Sequence, residues 1–150
     1  MIYEILILNL LERIDLARSD DWLRQAKKDI LHAKESLKIK HFEWAVLAAQ
    51  QGAEKSIKAL YYEIGADPWG HSILKFLKKL PEKFDINEQL IIAAKNLDKH
   101  YITARYPNAF ASGAPKDYYL EKDADEAIQD GEKIFTFCKN QISQIRKEIN

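Results

Sequence analysis

The run FEWAVLAAQQGAEKSIKALYYEI, Phe42–Ile64, decides the fold class. Phe42, Val46, Ala49, Ala53, Ile57, Leu60 and Ile64 recur at spacings of three and four, which sets them on one stripe of an α-helix. Gln51, Glu54, Lys55, Lys58 and Tyr62 share the opposite face, and Gly65 follows as a C-cap. A periodic run this long excludes a strand.

The same period holds on both sides of it. Ser19 and Asp20 are good helix caps, and DWLRQAKKDILHAKESLK follows with Trp22, Ala26, Ile30, Ala33 and Leu37 in register. ADPWG, with Pro68 and Gly70, makes a corner. A short helix then runs from His71 to Leu80 and stops at Pro81. Another extends from about Asn87 to Tyr101, with Leu90, Ile91, Ala94 and Leu97 inward. Arg105–Leu120 holds two prolines, a glycine and three tyrosines and reads as one long loop; loops of this length in compact domains are often functional. The last helix starts near Lys122 and turns Ala124, Ala127, Ile128, Gly131, Ile134, Phe135, Cys138, Ile142 and Ile145 to one side. The expected fold is all-α: an antiparallel up-and-down bundle of four main helices with one or two additional short or terminal ones.

A chain of 150 residues makes one domain, 1–150, able to build a core without metal or disulfide staples. Basic and acidic residues balance at 23 each, so no global field draws the chain to nucleic acid or to an anionic membrane. The single cysteine, Cys138, forms no internal disulfide and suits a reducing, cytoplasmic setting. MIYEILILNLLERIDLAR lacks the basic start and small-residue cleavage site of a signal peptide, and its apolar stretch is too short to span a bilayer. It reads as an amphipathic terminal helix over 1–18, bearing Glu4, Glu12 and Asp15, whose Ile and Leu side chains need a neighbour in the bundle or in a second subunit.

Three stretches in order carry a family resemblance: AAQQGAEKSIKALYYEIG (Ala48–Gly65), HSILKFL (His71–Leu77) and LDKHYITARYP (Leu97–Pro107). Trp22, Ala26 and Asp29 precede them, and an alanine-bearing last helix follows. Over about residues 20–143 the chain resembles a HEPN domain, the higher-eukaryote-and-prokaryote nucleotide-binding domain. That resemblance implies a helical bundle acting as a homodimer, often beside a minimal nucleotidyltransferase partner, with nucleotide or RNA as ligand. Several branches are metal-independent ribonucleases of toxin type that use Arg-x4–6-His, with the arginine on phosphate and the histidine assisting 2′-OH attack.

This sequence departs from that pattern. His32, His41, His71 and His100 all precede Arg105, and the positions where a nuclease histidine would stand hold Phe110, Ala111 and Ser112. Arg24 precedes His32 by eight positions, one too many. The resemblance therefore implies a non-catalytic module. Its candidate ligand-binding residues are Arg105, Tyr106, Tyr101, Gln51, Lys55 and His71. An arginine binds phosphate bidentately, and tyrosines beside it suit base stacking. A degenerate ribonuclease using Arg105 with His100 or His71 is the alternative, and a helical assembly domain is another. Each residue also has a plainer reading. His100 sits at a helix end favoured by the dipole, Arg105 pairs with a carboxylate such as Asp98, and His71 caps or docks the short helix. The polar face of the long helix is then merely solvated. Lys75, Lys78, Lys79 and Lys83 read as snorkelling surface lysines or a weak phosphate-tracking patch. The sequence holds no His-x3-His, no Cys-x2-Cys and no glycine-rich phosphate loop, so no metal or cofactor is expected.

Overall fold

A computed structural model of the chain describes residues 1–149, and the side chains of all of these except residues 15–17, Asp15 among them. Its helices are α1 (Ile2–Lys38), α2 (Phe42–Glu63), α3 (Ile73–Lys79), α4 (Glu88–Asp98), the single turns α5 (His100–Thr103) and α6 (Pro115–Tyr118), and α7 (Glu121–Ile149). There is no strand among the described residues.

Contacts between helices set their directions. Ser19 meets Ala59 and Asp29 meets Lys55, so α1 and α2 are antiparallel. Asn96 meets Asp130 while Asn87 and Leu90 share a cleft with Phe137 and Asn140, so α4 runs against α7. Gly131 of α7 lies on Ala49, whereas Arg146 reaches Glu63, so α2 and α7 run together. The result is the expected up-down-up-down bundle, α1–α2–α4–α7.

Helix α2 is its axis. Of the predicted stripe, Val46, Ala49, Ala53, Ile57 and Leu60 are fully buried and Phe42 and Ile64 half-buried, but Gln50, Glu54, Ser56, Lys58 and Glu63 are buried too, to within a tenth. The expected solvated face is therefore corrected: α1, α7 and the α3–α5 side enclose α2 nearly all round. Small residues allow that approach. A Cβ on Gly52 would stand 2.6 Å from Ile30 Cγ1 and 3.1 Å from the Ala26 carbonyl oxygen, and one on Gly131 would stand 3.0 Å from the Ala49 carbonyl.

Two boundaries differ from expectation. The helix does not restart at Ser19–Asp20, because Ser19 is buried and spends its hydroxyl on the Ala59 carbonyl (2.9 Å) instead of capping. One helix thus runs from Ile2 to Lys38, and residues 1–14 expose their side chains. The long loop is also more structured than expected. A 3₁₀ turn at Pro107–Ala109, α6, the stacked pair Phe110–Tyr118 and the buried Tyr119 organise it.

Candidate functional site at the arginine corner

The corner forms because Pro107 ends the helical run. Tyr106 is extended (φ −124°, ψ 131°), as a residue before proline should be, and the helix has closed by Ala104. Arg105 then folds back, its guanidinium carbon 4.7 Å from the centre of the Tyr101 ring. The His71 imidazole stacks on Tyr101 at 5.0 Å and 19° between planes. Arg105, Tyr101 and His71 therefore meet, although 34 residues separate His71 from Arg105.

His71 is held from two directions. The turn that carries it is locked by Asp98, whose carboxylate accepts from Ser72 Oγ (2.7 Å), Ile73 N–H (2.9 Å) and Leu74 N–H (3.1 Å). Ser72 in turn is the N-cap of α3, bonding Lys75 N–H, so His71 stands just outside the helix it was expected to begin. Asp98 is spent on this lock and does not pair with Arg105, which corrects that expectation. Among the described residues Arg105 has no carboxylate partner, and its Nε is buried without a hydrogen bond.

The second hold is Glu54. Its Oε1 lies 2.8 Å from His71 Nδ1 and 3.0 Å from Lys58 Nζ, while Oε2 accepts from Gln50 at 3.2 Å. An ionised carboxylate only accepts hydrogen bonds, so this contact keeps a proton on Nδ1 and leaves Nε2 free on a ring that is 59% exposed. Lys58 balances the Glu54 charge inside the bundle. The Arg105 cation is thus left available to an anion.

The remaining candidates divide. Gln51 reaches the cluster only by relay, donating to Gln50 Oε1 at 2.7 Å. Lys55 does not join it, since its ammonium is taken by Asp29 of α1. Tyr106 lines a neighbouring open cleft of about 490 Å³ with Trp44, Leu47, Pro115, Arg105 and Lys116. His100 turns the other way: its Nδ1 is 2.8 Å from the Tyr119 hydroxyl, which also meets Thr103 Oγ1 at 2.7 Å. Burial pushes its pKa below the ordinary histidine value. His100 opens α5, where the helix dipole does not favour its charge, and it is bonded to Tyr119 and not to Arg105. Glu54, Gln50 and Asp98 were not singled out as site residues; the serine before ILKFLKK was the one legible cue, marking an N-cap and hence a turn at His71. Among the described residues no group of His, Cys, Asp and Glu could hold a metal ion, and no helix is long and apolar enough to cross a membrane.

Comparison with known proteins agrees with this architecture. TT1696 from Thermus thermophilus is 44% identical with a TM-score of 0.80, over 82% of this chain and 97% of that one. ST0689, an archaeal HEPN homologue, is 36% identical at a TM-score of 0.70, over 83% and 97%. A HEPN domain protein of Thermotoga maritima is 36% identical at 0.67, over 82% and 98%. Among curated proteins, "Putative toxin MJ1304" of Methanocaldococcus jannaschii is 25% identical over 128 residues, 79% of this chain and 84% of that one. The sequence model of the HEPN domain matches residues 19–141, which runs from the Ser19 contact through the arginine corner and most of α7. The chain belongs to the HEPN domain family.

Proposed function

We propose that this chain is a non-catalytic HEPN module of toxin–antitoxin type. In this reading it works as a homodimer and uses the corner at Arg105 to hold a phosphate-bearing ligand, a nucleotide or RNA, alone or with a minimal nucleotidyltransferase partner. One observation carries the reading: Arg105 lies on Tyr101 beside His71, and among the described residues no carboxylate pairs with it. A guanidinium so placed offers a planar fork to phosphate, and the half-exposed Tyr106 ring offers a stacking partner to a base. The test is titration of the full chain with a nucleoside triphosphate and with a short single-stranded RNA, followed by calorimetry. Binding of either, lost in Arg105→Ala and kept in Lys78→Ala, is expected; equal binding by Arg105→Ala removes this site.

The Glu54–His71 contact favours a second reading, a metal-independent ribonuclease. A carboxylate that fixes Nδ1–H leaves Nε2 placed as a base, with Arg105 against the same tyrosine. Cleavage of single-stranded RNA in chelator, abolished in both His71→Ala and Arg105→Ala, would decide for it over the binding module.

A further inference from the structure

We infer that the first turns of α1 are a self-association surface, and that the chain assembles by packing this segment against the same segment of a second copy. Tyr3, Ile7, Leu10 and Ile14 follow the alternating four-and-three spacing of a helix–helix seam, and Leu6 and Leu11 flank them. All six are between 48% and 81% exposed.

The chain's own bundle cannot cover them. Helix α1 presents Ser19, Ala26, Ile30 and Ala33 to the bundle, all buried. At 3.6 residues per turn the seam points about 140° away from that side of the same unbroken helix. A bilayer fits poorly as well. The apolar run from Ile2 to Ile14 is about 20 Å long against a hydrocarbon core of about 30 Å. Helices that lie in a membrane interface carry Lys and Arg on their polar face, whereas this one carries Glu4, Asn9 and Glu12 with a single Arg13.

The size of the surface suits a second copy. A buried Leu or Ile removes roughly 60–120 Å² from water. The six seam residues alone therefore offer roughly 360–720 Å² per copy, or about 1,000 Å² for the pair, the size at which a specific interface begins. Ile2, Ile5 and Leu8 lie off the seam and widen the apolar surface around the helix. The segment precedes residue 19, where the HEPN match begins, so this contact is separate from any pairing of the bundles themselves.

The test is sedimentation equilibrium of the full chain and of Ile7→Lys/Leu10→Lys, with circular dichroism as a check on folding. Both side chains are more than half exposed in the single chain and belong to no part of its buried core, so the bundle should keep its melting temperature. A mass that falls at least twofold in the double variant is the expected result. An unchanged mass overturns the inference, because it puts self-association elsewhere or nowhere. So does a monomeric wild type that co-floats with phosphatidylcholine vesicles, which would make the segment a membrane contact. Nucleotide or RNA binding measured on the same variant separates this surface from the arginine corner: loss of assembly with retained binding leaves the site reading untouched.

Discussion

Arg146 should be a main tie of the bundle, and replacing it tests the packing of three helices at once. Its Nε and one terminal nitrogen bond the two oxygens of Glu63 at 2.8 and 2.9 Å, and that same nitrogen bonds Asp20 at 2.8 Å. One guanidinium on α7 thereby joins α2 and α1. The Glu63 side chain is fully buried while that of Arg146 is 39% exposed. Both carboxylates hold the proton on, pushing the guanidinium's pKa up from an already high value, so it stays charged throughout. Arg146→Met keeps the aliphatic packing and strands the Glu63 carboxylate. Breaking a buried pair costs about 3–5 kcal/mol; water at the arginine end screens part of the loss, which leaves about 2–3 kcal/mol. At about 2–4 °C per kcal/mol for a domain of this size, the melting temperature should fall by roughly 4–12 °C. The deficit should also depend on pH. An unpaired buried carboxylate takes up its proton more readily in the folded than in the unfolded chain, so the penalty is present at pH 7 and shrinks as pH falls towards 5. Glu63→Gln in the same chain should restore much of the loss. Thermal melts of the four proteins of this double-mutant cycle, at both pH values, decide it. A deficit below about 0.5 kcal/mol, or one that pH leaves unchanged, would refute the reasoning.

Two further outcomes follow from the packing. His100 has a pKa lowered by burial, so the unfolded chain binds that proton first as pH falls. Stability is then fully present above about pH 6.5 and is lost as pH drops through and below it. In Asn or Gln variants at position 100, melts between pH 7.5 and 5 should lose that part of the slope; an unaltered slope would place the titration elsewhere. Gly52→Ala gains about 1 kcal/mol in helix propensity but drives a methyl against Ile30 and the Ala26 carbonyl, an overpacking cost of about 1–3 kcal/mol. Net destabilisation is expected by denaturant unfolding, and a stabilised variant would mean that α1 and α2 can part without cost.

Much of this was open to a reader of the chain. The three-and-four spacing of Val46, Ala49, Ala53, Ile57 and Leu60 placed α2, and the glycine and proline corners separated the short helices, because both signals are local. The ordered HEPN stretches pointed to the family and to Arg105. Periodicity failed where burial was decided by neighbours. Glu54 and Lys58 look like a solvated pair on an amphipathic helix, yet they are buried together because α3 and the Trp22 side of α1 close over them, with the Lys58 ammonium 5.5 Å from the Trp22 ring. Ser19 reads as a cap by its type alone; only the nearby Ala59 carbonyl gives its hydroxyl another acceptor and lets the helix continue.

The sequence by itself thus determined the helices, their order and the family, since hydrophobic period, caps and breakers act within a few residues along the chain. Tertiary structure alone decided which polar groups meet. It brought His71 to Tyr101 and Arg105, gave Asp98 to the α3 turn and so withheld it from Arg105, and joined Asp20 at the middle of α1 to Glu63 and Arg146 near the ends of α2 and α7. These contacts span tens of residues, and their partners are chosen by how closely the glycines and alanines of α1, α2 and α7 let the helices approach. No spacing rule within one helix contains that information.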